Sequence, residues 1–552
     1  MHCSRCSQDR SLEVIIHMPP LHHLLLLVVG LVVFDGRSSV AAVAPQDPSG
    51  DTSLGDELEA IALEIAQLKD RNQSLHQRLD DRVEQPWLDA ARTAELQSLV
   101  RDVLADSSLR TSLQDTGLTV GYVVGEGFQL ASSDNAFKIR VLGESQIRWV
   151  FNRSRSGQQY SNANLLVDRV SGSQTVVGSE SGWGTQIRNM KLKLLGHVFD
   201  PSWQFKIELA FRSDNGEAEY EDAYINKDLG DGFSLRVGQF KAPWLREQLV
   251  SSVFQLAADR SLLDGYFNAG RSVGLQGQYR TDSLSLRGFY GNGFKTALNV
   301  GTTFTNFDNQ PTEWAFAGRA DWKLFGDWQE LQDFNARPDQ EPGMMVGFGA
   351  MGQQYNGNAE FDDPFNLTGL GDNFLFTDAS LDGSTVFGVT ADLTAKYKGW
   401  SFFASAVWQR FETKANGTLL GVPGIDLDLG AVNSWGAMVQ GGYLLTDELE
   451  LFARYTYLAP DLDSTTFSFS NIPAPFPSTL DTDLFLGNTT TNVLTLGANY
   501  FVSPELKFTL DWGMNFDRGF VGLNENTLIK RGWVPTNTSS EWNLRFQTQL
   551  LF

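Results

Sequence analysis

From Phe137 onward, apolar and polar residues take turns. Phe137, Ile139, Val141, Ile147, Trp149 and Phe151 fall on one side of an extended chain, and Lys138, Arg140, Gln146 and Arg148 fall on the other. Trp203, Phe205, Ile207, Leu209 and Phe211 alternate with Gln204, Lys206, Glu208 and Arg212, and Leu506, Phe508, Leu510 and Trp512 with Lys507, Thr509 and Asp511. A period of two is the signature of β-strands with one apolar and one polar face. The pattern predicts sixteen strands, starting near residues 137, 183, 203, 219, 233, 271, 283, 313, 343, 385, 399, 433, 448, 490, 504 and 541.

The connections between these strands alternate in length. Short turns are expected at Asp200–Ser202, Asp228–Gly232, Arg280–Ser283, Lys398–Gly399, Leu445–Asp447 and Val502–Pro504. Long loops are expected at about 241–270, 293–312, 356–384, 413–432, 459–489 and 518–540. One connection breaks the rule, since 326–342 falls where a short turn belongs. A soluble sandwich would bury the same apolar faces in a core. Long strands with aromatic ends, tight turns on one rim and long loops on the other fit a barrel that shows lipid its apolar face and encloses a polar lumen. The expected fold is therefore all-β, a transmembrane antiparallel β-barrel of about sixteen strands over residues 117–552, preceded by an α-helical coiled-coil segment.

That segment shows another period. Leu54, Leu58, Ile61, Ile65, Leu68, Asn72, Leu75 and Leu79 step by four and three, a heptad seam with one polar core position of the kind that fixes register. The coiled coil is placed at 54–85, with Pro86 ending it and a helical linker over 86–116. A homotrimer is expected, with a dimer left open because the seam mixes Leu and Ile. Upstream, Leu24–Phe34 is an apolar run too short for the roughly 20 residues of a membrane helix. It suits the core of a signal peptide over 1–42, cleaved after Ala42, with 43–53 as linker and Met18 as an alternative start. Outer-membrane lipid is the expected surrounding.

Composition narrows the chemistry. The 552-residue chain carries a net charge of −23, which argues against nucleic acid as a partner. Its two cysteines, Cys3 and Cys6, precede the signal core, and His197 is the sole histidine beyond residue 80. Thiol chemistry, a His-based triad and a His-cluster metal site are thereby disfavoured. Neither a P-loop nor a dinucleotide fingerprint occurs in the right context, and Asp372–Ser384 lacks calcium-loop spacing. No cofactor, metal or enzymatic activity is expected. A barrel enzyme would have to use His197, for which a structural role at a short turn is the simpler reading.

A sixteen-stranded barrel is wide enough for water, so selectivity would come from charged rings and inward loops. The loop after the fifth strand is the constriction candidate. It carries Lys241, Arg246 and Arg260, with Arg271 just beyond, against Glu247, Asp259 and Asp264. The lumen-side set of the first strands is mostly basic, Lys138, Arg140, Arg148, Lys191, Lys193, Lys206 and Arg212 against Glu144 and Glu208, and Arg236 joins it as a pore-lining candidate. Charge is uneven along the chain: residues 137–337 hold 23 basic and 22 acidic residues, and residues 338–506 hold 5 and 20. A basic arc would concentrate anions, but parity is equally consistent with bases paired to lumen acids. The acids of the second half lie mainly in long loops such as 356–384, where they either bind divalent cations at the cell surface or keep the loops solvated, solvation being the simpler reading.

The last strand, Trp542–Phe552, puts apolar residues on even positions and stops at Phe, which resembles the signal read by the barrel-assembly machinery. Further residues carry a family resemblance. Glu221-Asp222-Ala223-Tyr224, Arg236–Trp244, Glu247, Ser251-Ser252, Arg260 and Arg271-Ser272-Val273-Gly274 resemble the phosphate-selective porin O and P family, as do Phe128–Trp149 and Arg545–Phe552. The resemblance spans about 120–552 and is strongest at 183–290. It implies an exported, trimeric, sixteen-stranded channel in the outer membrane for passive diffusion of small solutes, in which lumen arginines and lysines pass anions such as phosphate. The acidic second half departs from that pattern. The alternative is a structural barrel that tethers the membrane to the cell wall or a partner through its coiled coil.

Overall fold

The structure, a computed structural model, describes Lys69 and residues 118–552 apart from 124, 155–156, 160–174, 178–180, 212–215, 297–310, 339, 360–375, 420–421, 461–465, 471–478, 482–489, 518–524 and 534–540. The signal segment, linkers and heptads expected before residue 117 lie outside the described residues, except Lys69, which is helical.

A hairpin comes first, β1 (Leu118–Val123) and β2 (Gly127–Ser132), with β2 paired to the start of β3. Sixteen antiparallel strands then form the barrel: β3 (Lys138–Arg153), β4 (Ser181–His197), β5 (Trp203–Phe211), β6 (Ala218–Gly230), β7 (Phe233–Lys241), β8 (Arg271–Arg280), β9 (Leu284–Gly291), β10 (Thr312–Phe325), β11 (Gly343–Tyr355), β12 (Thr385–Tyr397), β13 (Trp400–Leu419), β14 (Val422–Leu444), β15 (Leu449–Ala459), β16 (Thr491–Phe501), β17 (Leu506–Asn515) and β18 (Trp542–Leu551). Each pairs with the next, and β18 pairs back on β3, so the sheet has no free edge. The closure ends at Phe552, whose backbone exchanges hydrogen bonds with Gly143 (2.5 and 3.1 Å). Its ring fills the space that a Cβ on Gly143 would need.

Fifteen of the sixteen strands start within two residues of the position that the alternation indicates. The exception is β14. Instead of a loop over 413–432, β13 and β14 run on as a paired hairpin. The outward residues of that extension, Glu412, Lys414 and Asn416, are polar and exposed. The strand continues, but the lipid that would demand an apolar outer face does not. Short turns join the other rim. Asp231-Gly232 and Lys398-Gly399 have φ of 52° and 83°, and of 38° and 82°, the left-handed pair that matches strand twist in two-residue hairpins.

Burial is inverted relative to a soluble protein. Outward residues are apolar and exposed, with aromatics near both rims: Trp203, Phe233, Trp322, Tyr397, Trp400 and Tyr443 at the short-turn end, Trp183, Tyr290, Phe316 and Trp435 at the long-loop end. Inward residues are polar and buried, among them Gln146, Arg148, Arg319, Gln353, Glu450, Arg454, Asn499, Asp511 and Arg545. A dry core between two sheets cannot hold that inventory, whereas a barrel in lipid requires it.

Candidate pore constriction

Pro243, which has no backbone N–H to donate, lies two residues beyond the end of β7, and the chain turns into the lumen. Residues 242–270 carry α1 (Arg246–Leu249), a 3₁₀ turn (Ser252–Phe254) and α2 (Leu262–Phe267). The loop is apolar on the side that meets the inner wall: Trp244, Leu245, Leu256, Leu263 and Phe267 are buried. The wall makes room with glycine. A Cβ on Gly349 or Gly388 would meet Trp244, one on Gly436 would meet Phe267, and one on Gly442 would meet Leu256.

The wall also supplies polar grips. Arg319 donates to the Trp244 carbonyl (3.0 Å), Arg454 to that of Asp259 (2.7 Å), Asn499 to that of Leu256 (2.9 Å), and Lys507 to those of Val253 and Gln255 (3.2 and 3.1 Å). Asp511 accepts from the Ala258 N–H (2.9 Å) while pairing with Arg545. Within the loop, Glu247 accepts from the Ser261 backbone N–H and hydroxyl (2.7 and 2.6 Å), which ties α1 to the start of α2. Burial, with Asp264 close by, pushes the Glu247 carboxyl above its ordinary range. Burial works against charge on Asp259 too, but the Arg148 and Arg188 guanidiniums outweigh it and hold its carboxyl well below the ordinary range.

The basic residues marked in the sequence fall into three groups. Five are neutralised by neighbours. Lys191 meets Glu208 (3.3 Å) and Glu221 (2.6 Å); Lys193 meets Glu144 (2.6 Å); Lys206 meets Glu208 and Asp222 (both 2.6 Å). Arg271 meets Glu221 (2.6 Å) and Asp222 (2.7 Å), and Arg140 meets Glu126 of the β1–β2 turn (3.3 Å). Arg148 forms a second group: it is fully buried between Asp259, the Ala258 carbonyl and Gln547, and anchors the loop rather than facing pore water.

The third group is Lys241, Arg246, Arg260 and Arg236. Among the described residues none of these has a carboxylate within ion-pair distance, and all four are half-buried. Lys241 donates to the Gln248 carbonyl (2.7 Å), Arg246 to that of Leu331 (2.5 Å), and Arg260 to those of Glu247 and Val250 (3.1 and 2.7 Å). Arg236 lies over the Tyr224 ring at 4.2 Å. Arg212 lies outside the described residues.

Sequence reasoning missed Arg188, because a bulge between Gln146 and Ile147 shifts the β3–β4 register and breaks parity there. Glu221, marked only through the family resemblance, was left out of the pore-lining set because it sits in the bulge that skips it between β5 and β6. Arg319, Lys396, Glu450, Arg454 and Arg545 went unmarked too, although their lumen parity was legible. His197 bonds the Asn135 carbonyl (2.9 Å) at the short-turn end of β4.

The family model described as phosphate-selective porin O and P matches residues 160–515. No curated protein matches the chain in sequence. Among solved structures, the outer-membrane protein OmpT of Vibrio cholerae is 13% identical, covering 76% of this chain and 98% of its own, with a TM-score of 0.41. An anion-selective porin from Comamonas acidovorans is 11% identical, covering 75% and 99%, with a TM-score of 0.42. The outer membrane channel DcaP of Acinetobacter baumannii is 10% identical, covering 77% and 99%, with a TM-score of 0.42.

Proposed function

This chain belongs to the phosphate-selective porin O and P family, a channel of the outer membrane for passive diffusion of small solutes, and we propose that its pore prefers anions. The observation that carries this reading is the set Lys241, Arg246 and Arg260 at the constriction loop, with Arg236 on β7, none of which has a carboxylate within ion-pair distance among the described residues while the bases around them are paired. Uncompensated positive charge in a narrow, low-dielectric passage raises the local anion concentration. The paired wall contributes little net field, so the sign of selectivity rests on these four positions. Inorganic phosphate and other small anions are the solutes this favours.

The working form is a homotrimer held by the coiled coil of 54–85, exported through a signal peptide over 1–42 and assembled by recognition of the strand ending at Phe552. The heptad seam, the apolar run Leu24–Phe34 and the aromatic terminus support these assignments. Reversal potentials across planar bilayers in asymmetric potassium chloride test the selectivity. Anion preference that weakens in the double variant Lys241→Gln/Arg260→Gln is expected. Cation preference in the unmodified protein overturns the proposal.

A further inference from the structure

The connection between β10 and β11 sits on the short-turn rim, yet it is neither short nor outside the barrel. It leaves the rim at Trp328, whose indole donates to the Thr281 carbonyl (3.2 Å) and is flanked by Arg280 and Lys323. It then enters the lumen, where Leu331, Asp333, Phe334, Asn335 and Ala336 are buried. It returns to the rim where Gly399 donates to the Arg337 carbonyl (3.1 Å).

At its deepest point this segment touches the loop that descends from the opposite rim. The Phe334 N–H donates to the Phe254 carbonyl (3.1 Å), and Arg246 reaches the Leu331 carbonyl (2.5 Å). The Phe334 ring packs on Phe403 of the wall, centroids 4.5 Å apart.

Two charged wall residues hold the segment there. Glu450 is completely buried and has no cation within ion-pair distance among the described residues. Its oxygens accept from the Ala336 N–H (2.7 Å), the Asn335 amide (2.8 Å) and the Asn499 amide (2.9 Å). Asn499 also donates to Leu256 of the descending loop, so one carboxylate and one amide couple both inward segments. Lys396 pairs with Asp333 and donates to the Asn335 carbonyl (2.9 Å). A buried carboxylate with three donors and no cation in direct contact is costly to assemble, and a passive wall does not need it.

We infer that residues 326–342 form a second constriction, which joins loop 242–270 from the other mouth and sets the upper size of permeating solutes, with Glu450 and Lys396 as its positioning residues. The inference rests on the diffusion-channel reading. The two segments fill the lumen along β11–β17 and leave the conducting path to the wall of β4–β8, where Lys193, Lys206, Glu221, Arg236 and Arg271 are only partly buried although Lys191, Glu208, Asp222 and Gln276 are buried.

The test uses the full chain in planar bilayers and in liposomes challenged with neutral sugars of increasing size. In one variant residues 328–340 are replaced by Asn-Gly, a two-residue hairpin turn. Single-channel conductance should rise at least about twofold, because conductance scales with open cross-section, and larger sugars should enter. The milder variants Glu450→Gln and Phe334→Ala should raise the size limit with less change in conductance, and Glu450→Asp should restore part of it. A variant barrel that keeps its heat-resistant folded band on gels but shows unchanged conductance and size limit overturns the inference. Absence of conductance from the unmodified protein would strike the channel reading instead, so the two failures are distinguishable.

Discussion

The two sides of the barrel wall are built from the same alternating strands and do different work. Along β4–β8 the inward charges pair with one another: Lys191, Lys206 and Arg271 share Glu208, Glu221 and Asp222, and of these Lys206, Glu221 and Arg271 are half-buried while the other three are buried. Along β11–β17 the inward side chains are buried beneath 242–270 and 326–342, and their polar groups point at loop carbonyls and amides: Arg454 at Asp259, Lys507 at Val253, Glu450 at Ala336. One side is a wetted surface and the other is a socket. The charge pattern differs accordingly, because a wall facing water tolerates many exchangeable ion pairs, whereas a socket needs a specific partner for each buried group.

Loss of the seat should produce the largest effect. Trp244→Ala removes the ring that lies against Gly349 and Gly388 and should cost about 3–5 kcal/mol of unfolding free energy in detergent. The loop should then unseat, raising conductance and current noise. If Trp244→Ala leaves both untouched, the socket description is wrong. Close behind comes the buried pair Arg545–Asp511. Arg545→Met strands Asp511 and should cost about 3–5 kcal/mol, while the matched change Lys206→Met on the paired wall should cost less, because Glu208 keeps Lys191 and Asp222 keeps Arg271. Equal costs on the two sides would erase the distinction.

Smaller effects sharpen it. Lys241→Gln and Arg260→Gln should each change stability by less than about 1 kcal/mol, since they surrender hydrogen bonds to carbonyls but no ion pair. Each should nevertheless move the reversal potential toward cations. The mildest probe is pH. The folded state depresses the Asp259 carboxyl, so the stability it contributes is present above the ordinary carboxylate range near 4 and is lost as pH falls further. Glu247, raised by burial, acts with the opposite sign and weakens the loop as pH climbs through and above that range. Unfolding midpoints followed against pH should decline on acidification, and Asp259→Asn should flatten that arm.

Much of the barrel could be read without coordinates. Strand after strand, from Phe137 to Phe552, begins where the alternation says it should, because lipid on one side and water on the other impose a period of two on each strand by itself. The reading failed where that constraint lapses. Above the membrane the β13–β14 hairpin loses its apolar outer face and resembles a loop, and at bulges near Arg188 and Glu221 the parity slips by one.

The constriction was legible only as a location. Its length, its position after the fifth strand and its basic residues were visible at 241–270, and 326–342 stood out as a turn too long for its rim. What those segments do depends on partners far along the chain, such as Glu450 with Asn335 or Arg148 with Asp259. Arg148 and Lys206 share charge and lumen parity, yet one is sealed under a loop carbonyl and the other belongs to an ion-paired wall. The chain alone therefore determined which residues look outward and which look inward, a property of each strand's own period. Which inward charges remain uncompensated was decided by tertiary structure, because neutralisation depends on cross-strand register and on loops that arrive from either mouth.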